Sequence, residues 1–332
     1  MKITMREVAK KANVSIATVS HVVNNTRIVS DETRKQVVSA INELHFYPDI
    51  MARNFKTGRK HIIGLIVPDV SNSFFAKIIE AIEDVLSNNH YALLILNTKE
   101  KEDLEINSIK LCSSGIVDGI IIASSVFDYQ KIEATLPNSF PIVFIDRTMK
   151  NASCDTVLMS DYEAITDGID ILISHGHKKI GFIGALPELS TTQERFLAYK
   201  NQLAKNNLEI NPELILFTHK LESDNQIQIK QILENGCTAI VACNNLITTN
   251  IIIYCDNHKI SIPEQVEILG YKNSDRMDYF LPESLYIKQP VLQMGRIAAT
   301  RMLQILSDEE PTTQNSIIPS ALDIDFSNSN RN

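Results

Sequence analysis

The chain has 332 residues, of which 44% are hydrophobic, and it carries a formal net charge of −8. This length predicts more than one domain, and the composition excludes a disordered chain or a collagen-like repeat. The sequence contains no apolar run of membrane-spanning length, no apolar signal segment at its N-terminus and no CxxC pair among its five cysteines. We therefore expect a soluble cytoplasmic protein with no membrane partner.

The charge is unevenly distributed along the chain. Residues 1–61 contain eleven Lys and Arg against five Asp and Glu, a balance of +6, so the remaining residues carry −14. A basic head on an acidic body favours a polyanion as the partner of the head. Charge alone leaves open the alternative that these residues form an ordinary solvated surface.

The first 47 residues have the pattern of three short helices. Thr4 and Glu7 form a capping box before the first helix, and Asn13 is suited to a left-handed stop after it. Ser15 begins the second helix, and Ser30 caps the third. The positions predicted to face the core of the head are Val8, Ala9, Val19, Val22, Val23, Val37, Val38, Ile41 and Leu44. This order is the helix-turn-helix plan, in which the second helix enters the major groove of DNA.

A long ordered motif runs through this head. Its parts are REVA at 6–9, TVSHVVN at 18–24 and VSDETR at 29–34, extended by Tyr47-Pro48 and Ala52-Arg53. On these residues the chain resembles the lactose-repressor (LacI/GalR) family of bacterial transcription regulators, and the head is most similar to the purine-repressor branch. The resemblance extends through essentially the whole chain. It implies a repressor that binds a palindromic, double-stranded operator as a homodimer, with no tetramer expected.

The second helix carries the candidate base contacts. Ile16 and Ala17 lie in its first turn, where apolar side chains can contact a thymine methyl. His21 lies one turn further and can donate to a guanine; the alternative is a solvent-facing residue. Thr18 and Ser20 are suited to phosphate contacts. The resemblance adds further candidate DNA contacts at Thr4, Ser15, Asn24, Thr33, Tyr47, Met51, Ala52, Arg53, Phe55 and Lys56.

Residues 48–61 are predicted to form a hinge helix and linker between the helix-turn-helix DNA-binding domain (1–47) and the body. In the family this segment orders on operator DNA and inserts an apolar side chain into the minor groove. Phe55 stands where the family has Leu. An aromatic ring can also unstack a base step, so Phe55 is the candidate wedge. The alternative is that Phe55 packs against the partner subunit.

From residue 62 onward, apolar runs alternate with helical stretches. Strands are predicted at 62–67, 91–97, 119–123, 142–146, 180–185, 214–218, 239–243, 266–271 and 285–288. Such strands separated by helices predict an α/β fold with two doubly wound parallel-sheet subdomains. The resemblance implies a periplasmic-binding-protein-like body, with crossings near residues 160 and 290. The subdomains are then 62–160 with 291–321, and 161–290 with 322–332.

Ligands of such sheets bind beyond the carboxyl ends of the strands, here in the cleft between the subdomains. Arg195 matches the main cleft arginine of the family, and its guanidinium fork suits hydroxyl pairs or carboxylates. The alternative for Arg195 is a surface ion pair. An aromatic ring at Phe74 suits stacking on a sugar or base. The complete set of candidate effector-binding residues is Asp69, Phe74, Ser124, Asp161, Arg195, Asn245 and Gln289.

Several positions depart from the family pattern near this cleft. Asn245 replaces the usual Asp, Lys272 reverses the charge of another Asp, and residues 322–325 lack the usual Arg. Leu189 and Lys220 stand where the purine repressor has an arginine and an aromatic lid. A sugar, a sugar phosphate or another polar metabolite therefore remains open as the effector, and so does its role as inducer or co-repressor. No cofactor is expected.

The sequence disfavours two other classes of protein. An enzyme is disfavoured because the glycines near residue 181 lack GxGxxG spacing, and neither a GxSxG nor a Walker motif is present. His175 and His177 have no Cys or acid cluster beside them in the sequence, so no metal site is expected. A stand-alone solute-binding protein is disfavoured by the attached basic head.

Overall fold

The structure is a computed structural model, and it describes residues 3–24, 27–46, 59–149, 154–218, 225–272, 281–307, 313 and 315–323. The chain divides into two compact units, Met1–Lys60 and His61–Asn332, here called the head and the body. Within the described residues, no helix is long and apolar enough to cross a membrane.

The head consists of helices α1 (Met5–Lys11), α2 (Ile16–Asn24) and α3 (Asp31–Glu43). The Glu7 carboxylate accepts hydrogen bonds from the Thr4 N–H (2.7 Å) and the Thr4 hydroxyl (2.9 Å). Asn13 ends the turn of α1 with a left-handed φ of 53°. Local polar side chains thus fix where these helices begin and end.

The core of the head is a small apolar cluster of Val8, Ala9, Ala12, Val19, Val22, Val37, Ala40 and Phe46. Val23, Ile41 and Leu44 are partly buried against it. The prediction for Val38 is wrong, because its side chain is 44% exposed. Residues 37, 40, 41 and 44 follow the i, i+3, i+4, i+7 spacing of one helix face, whereas position 38 is rotated away from that face by about 100°.

The body contains twelve described strands. In chain order they are β1 (Ile62–Val67), β2 (Ala92–Asn97), β3 (Gly119–Ile122), β4 (Ile142–Ile145), β5 (Asp155–Ser160), β6 (Ile180–Gly184), β7 (Ile215–Phe217), β8 (Ala239–Ala242), β9 (Glu267–Lys272), β10 (Leu285–Lys288), β11 (Asn315–Pro319) and β12 (Ala321–Asp323). They form two six-stranded sheets.

The described helices of the body connect these strands. They are α4 (Ser73–Asn88), α5 (Glu102–Leu111), α6 (Tyr129–Glu133), α7 (Tyr162–Ser174), α8 (Ser190–Lys205), α9 (Gln226–Glu234), α10 (Asn245–His258) and α11 (Val291–Ser307). A π-helical turn, Cys112–Ile116, continues α5, and a short 3-10 turn, Pro212–Leu214, precedes β7.

The first sheet has the strand order β11-β5-β4-β3-β1-β2 and is parallel throughout. The second sheet has the order β12-β10-β9-β8-β6-β7, and only the short β12 runs antiparallel to its neighbour. Separate apolar clusters cover the two faces of the first sheet. This arrangement confirms the predicted α/β fold class with two doubly wound halves.

The chain passes between the two sheets three times. It leaves the first sheet after β5, returns to it after β10, and enters the second sheet again at β12, which begins at Ala321. The nine predicted strands are present, whereas β5, β11 and β12 had not been predicted. Polar residues break their apolar pattern: β5 begins with Asp155-Thr156, β11 with Asn315-Ser316, and β12 has only three residues. The predicted domain boundaries remain predictions.

Candidate DNA-contact helix and effector cavity

Helix α2 presents its first turn to solvent. Ile16 is 46% exposed, Ser15 and Ala17 are also exposed, and Val19 on the opposite face is fully buried. The Ser15 side chain caps the helix by accepting a hydrogen bond from the Thr18 N–H at 3.0 Å. This cap fixes where the helix begins, so the exposed side chains of the first turn extend from an ordered backbone.

The other predicted contacts of the head lie around this turn. Thr18, Ser20, His21 and Thr33 are partly buried, and Thr4 is exposed. The Thr33 N–H donates to the Ser30 side chain at 3.4 Å, and the two hydroxyls lie 2.8 Å apart. Six predicted contacts lie outside the described residues, as does the side chain of Asn24: Tyr47, Met51, Ala52, Arg53, Phe55 and Lys56. DNA contact by any of these residues stays a prediction.

The body contains a partly open cavity between its two sheets, with a volume of about 70 Å³, enough for several water-sized groups. Its walls come from the N-termini of four helices and from the residues that follow the strands. Its polar and aromatic lining residues include Asn72, Phe74, Glu100, Asp146, Arg147, Arg195, Asn225, Asn245 and Gln289. This is the ligand position expected of doubly wound sheets.

Arg195 extends from α8 into this cavity and is only 7% exposed. Its Nε and Nη2 each lie 2.7 Å from Asp161 Oδ2, and its Nη1 donates to the Cys243 carbonyl at 2.7 Å. The Tyr271 ring lies beneath the guanidinium at 4.9 Å, and the Tyr271 hydroxyl donates to the same Asp161 oxygen. The ion pair of Arg195 is therefore buried in the cavity wall rather than on the surface.

A second buried arginine, Arg147, follows β4 on the first-sheet side. Its Nη1 and Nη2 donate to the two carboxylate oxygens of Glu100, with the first bond at 2.7 Å. Burial alone would raise the pKa of Glu100, but the Arg147 charge and hydrogen bonds from Arg147 and Ser125 hold this pKa below its usual value. The cavity thus has one internally neutralised guanidinium on each side.

Two acids near Arg147 show the opposite behaviour. Burial raises the pKa of Asp146, which lines the cavity, and Arg147 and Arg195 offset this only in part. Burial also raises the pKa of Glu105, whose partners are the Ser124 hydroxyl and the Ser125 N–H. The neutral donors around Glu105 stabilise its charged form less than the Arg147 guanidinium stabilises that of Glu100.

The predicted effector-binding residues fall into two groups. Phe74, Arg195, Asn245 and Gln289 line the cavity, and Asp161 lies behind Arg195. Asp69 and Ser124 are not among the lining residues. Asp69 accepts hydrogen bonds from the Ser71 N–H and hydroxyl in a local turn, and Ser124 donates to Glu105. Ligand contact by each of the seven residues stays a prediction.

The structure adds cavity residues that sequence reasoning missed. Asp146 and Arg147 directly follow β4, so the rule that ligands lie beyond strand ends was sufficient to find them. Asn72 caps α4 and accepts a hydrogen bond from Asn245 Nδ2 at 2.7 Å, which joins the two sides of the cavity. Asn225 precedes α9, and no motif in the sequence marks it.

The two histidines before β6 contact one acid that is distant in sequence. Glu267 lies 3.0 Å from His175 Nδ1 and 2.9 Å from His177 Nε2. His177 Nδ1 is also 2.9 Å from the Thr238 hydroxyl. Within the described residues, no group of three His, Cys, Asp or Glu side chains has the arrangement of a metal site. The contacts hold the start of β6 against β8 and β9.

Two family descriptions match the chain. "Bacterial regulatory proteins, lacI family" matches residues 4–49, and "Periplasmic binding proteins and sugar binding domain of LacI family" matches residues 60–329. Because these matches cover the head and nearly all of the body, the chain belongs to the LacI family. It is a DNA-binding transcriptional regulator with a periplasmic-binding-protein-like body.

Individual relatives agree with this assignment. The HTH-type transcriptional repressor PurR of Mannheimia succiniciproducens is 29% identical over 313 residues, covering 92% of this chain and 93% of that protein. A lac repressor dimer bound to operator and an anti-inducer has the same fold, with a TM-score of 0.82, 21% identity, and coverage of 97% and 98% of the two chains. A cellobiose complex of the transcriptional regulator CelR gives a TM-score of 0.71 at 21% identity, with the same coverage.

Proposed function

We propose that this chain represses transcription by binding a palindromic operator as a homodimer, with a small molecule in the body cavity controlling its affinity for DNA. The observation that carries this proposal is that one chain combines an exposed, capped helix α2 with a partly open cavity that polar side chains line. The relatives named above include a repressor and a dimer bound to operator.

The head supports the DNA-binding part of the proposal. Its balance of +6 attracts phosphates, while the exposed Ile16 and Ala17 offer an apolar surface for base edges. Two heads would place their α2 helices in successive major grooves about 34 Å apart. Phe55 of the proposed hinge helix would then unstack a central base step in the minor groove.

The body supports the effector part of the proposal. The cavity combines an aromatic side chain at Phe74, amides at Asn72 and Asn245, and the guanidinium of Arg195. Asn72 and Asn245 already contact each other across the cavity, so a ligand that binds between them changes a contact that joins the two sheets. Such a change couples ligand binding to a rearrangement of the body.

The decisive experiment selects binding sites for the full-length protein from a random duplex library. We expect an enriched inverted repeat, whose half-site centres are about one helical turn apart, and binding that weakens steeply with salt. His21→Ala should lower affinity by on the order of 1–3 kcal/mol at one base pair in each half-site, with little effect on non-specific binding.

Gln36→Ala, on the exposed side of α3, provides the matched control and should leave the selected sequence unchanged. If His21→Ala weakened binding equally on all DNA sequences, His21 would be a phosphate contact. If the wild-type protein enriched no sequence and its retention on DNA were independent of salt, the proposal would be refuted.

A further inference from the structure

Asn225 lies at the start of α9 in an unusual backbone conformation. Its φ is 54°, in the left-handed region that Asn tolerates better than most residues, and it is only 2% exposed. It lines the cavity, and its side chain makes no capping hydrogen bond to the helix that it precedes. Some other interaction must therefore hold this side chain in place.

That interaction comes from α10. Asn250 Nδ2 donates a hydrogen bond to Asn225 Oδ1 at 2.9 Å, which fixes the carbonyl end of the Asn225 amide. The amino end, Nδ2, is buried and has no hydrogen-bond partner among the described residues. A buried donor without an acceptor destabilises the folded state, so such a group in a cavity wall points to a missing acceptor.

The charges around the cavity restrict what that acceptor belongs to. Arg147 is already paired with Glu100, and Arg195 with Asp161. Asp146 adds a further acid, and within the described lining residues no third arginine and no lysine balances it. Among these described residues an anionic ligand would therefore meet no uncompensated side-chain cation, which favours an uncharged ligand; His219 and Lys220 lie outside the described residues.

We propose that Asn225 is a specificity-determining residue that donates a hydrogen bond from Nδ2 to a hydroxyl oxygen of the effector, and that the effector is an uncharged polyhydroxylated compound. This inference rests on the proposed function, because it takes the cavity to be the effector site. Asn250 acts as a positioning residue that keeps the donor end of the Asn225 amide toward the cavity.

The first step of the test compares uncharged and charged probes on the full-length protein. Thermal unfolding is followed with D-ribose, D-xylulose, D-glucose and cellobiose, and with D-ribose 5-phosphate, D-glucose 6-phosphate and D-glucuronate. We expect at least one uncharged sugar to raise the Tm with a saturable concentration dependence, and the charged compounds to leave it unchanged.

The second step tests Asn225 with the sugar that binds most tightly. Asn225→Asp replaces the donor by an acceptor and Asn225→Ala removes it, and each should weaken binding by about tenfold or more. Asn211→Asp is the matched control: Asn211 Oδ1 accepts a hydrogen bond from the Glu213 N–H outside the cavity, which Asp retains. Its affinity for the sugar should equal that of the wild type.

Deoxy analogues of the same sugar then identify the oxygen that Asn225 contacts. Removing that hydroxyl should weaken binding to the wild type by about tenfold, but should have no effect on Asn225→Ala, where its partner is already absent. If Asn225→Ala merely disturbed the structure, the deoxy analogue would still bind to it less tightly than the parent sugar.

Three results would overturn the inference: stabilisation by the charged compounds alone, stabilisation by none of the seven probes, or wild-type sugar affinity in both Asn225 variants. DNA binding of each sample is measured in parallel on the selected duplex. Failure to bind that duplex counts against the proposed function, whereas failure to bind sugars with intact DNA binding counts against this inference alone.

Discussion

Arg147 and Arg195 are both buried in the cavity wall, yet their charges are neutralised in different ways. Arg147 places two parallel hydrogen bonds on Glu100 and keeps a second acid nearby, since Asp146 Oδ2 lies 3.4 Å from its Nε. Arg195 directs two nitrogens at a single oxygen of Asp161 and its third at a backbone carbonyl. Arg147 therefore contacts two carboxylates directly, whereas Arg195 contacts only Asp161 among the described residues and interacts with Asp146 at longer range.

The two pairs also differ in what they hold together. Glu100 and Arg147 follow β2 and β4, so that pair lies within the first sheet. Asp161 lies where the chain crosses from the first sheet to the second, and Arg195 belongs to a helix beside the second sheet. The Asp161 pair therefore stabilises the connection between the sheets, through which the proposed ligand-driven rearrangement would act.

The largest expected effect follows from removing the single acid of Arg195. Asp161→Ala should lower the free energy of unfolding by about 3–5 kcal/mol, because it removes the only carboxylate that contacts this buried guanidinium among the described residues. Glu100→Ala should cost less, about 1.5–3 kcal/mol, because Asp146 remains close to Arg147. Urea unfolding followed by circular dichroism measures both values.

Glu234→Ala supplies the control for these two variants, since Glu234 forms an exposed pair with Lys230. That substitution should change the free energy of unfolding by less than about 0.5 kcal/mol. Equal losses in Asp161→Ala and Glu100→Ala would contradict the distinction between the two arginines.

A pH series separates the acids on the first-sheet side. Glu100 has a lowered pKa, so its contribution to stability is present above its usual value of 4.5 and is lost as the pH falls below it. Glu105 has a raised pKa, so the folded state binds its proton more tightly, and stability falls as the pH rises through that pKa.

Glu100→Gln and Glu105→Gln should therefore change opposite parts of a plot of Tm against pH. The first should reduce the loss of stability at acid pH, and the second should reduce the decline above pH 4.5. Asp146 and Glu194, whose pKa values burial also raises, should retain part of that decline in Glu105→Gln. Identical pH profiles for the two variants would show that neither carboxyl has the assigned environment.

Parts of this site could be predicted from the sequence and parts could not, for a physical reason. Apolar runs located most strands of the body because strand burial is a local property of the chain. Arg195 and Asp161 were each singled out, but their contact was not, since it joins residues 34 positions apart. Asn225 gave no signal at all, because its importance depends on a hydrogen bond from Asn250 and on the cavity beside it.

In the head, by contrast, the sequence was sufficient to predict where the helices begin. Ser15 and Ser30 each accept a hydrogen bond from a residue three positions later, which is a short-range contact. The error at Val38 came from counting an apolar residue without following its position around the helix. Short-range contacts are therefore readable from the sequence, whereas the cavity depends on how distant strand ends meet.

Two positions near the predicted departures from the family pattern, Lys272 and Asp323, form an ion pair. Lys272 at the end of β9 and Asp323 at the end of β12 approach to 2.7 Å, with side chains 16% and 26% exposed. Both strands flank β10, and Lys272 Nζ also lies 5.7 Å from the Tyr286 ring of that strand. The ion pair thus connects the end of the short antiparallel strand β12 to the end of β9 across β10.

The smallest predicted effect concerns this partly exposed pair. Lys272→Asp or Asp323→Lys alone should destabilise the body by about 1 kcal/mol, since each places like charges together at the edge of the sheet. The double variant restores opposite charges and should recover most of that loss, whereas the same exchange at Lys230 and Glu234 should give almost no coupling. If the two single losses simply added in the double variant, the contact would contribute nothing to holding β12. Stability at this edge would then come from the three backbone pairings with β10 alone.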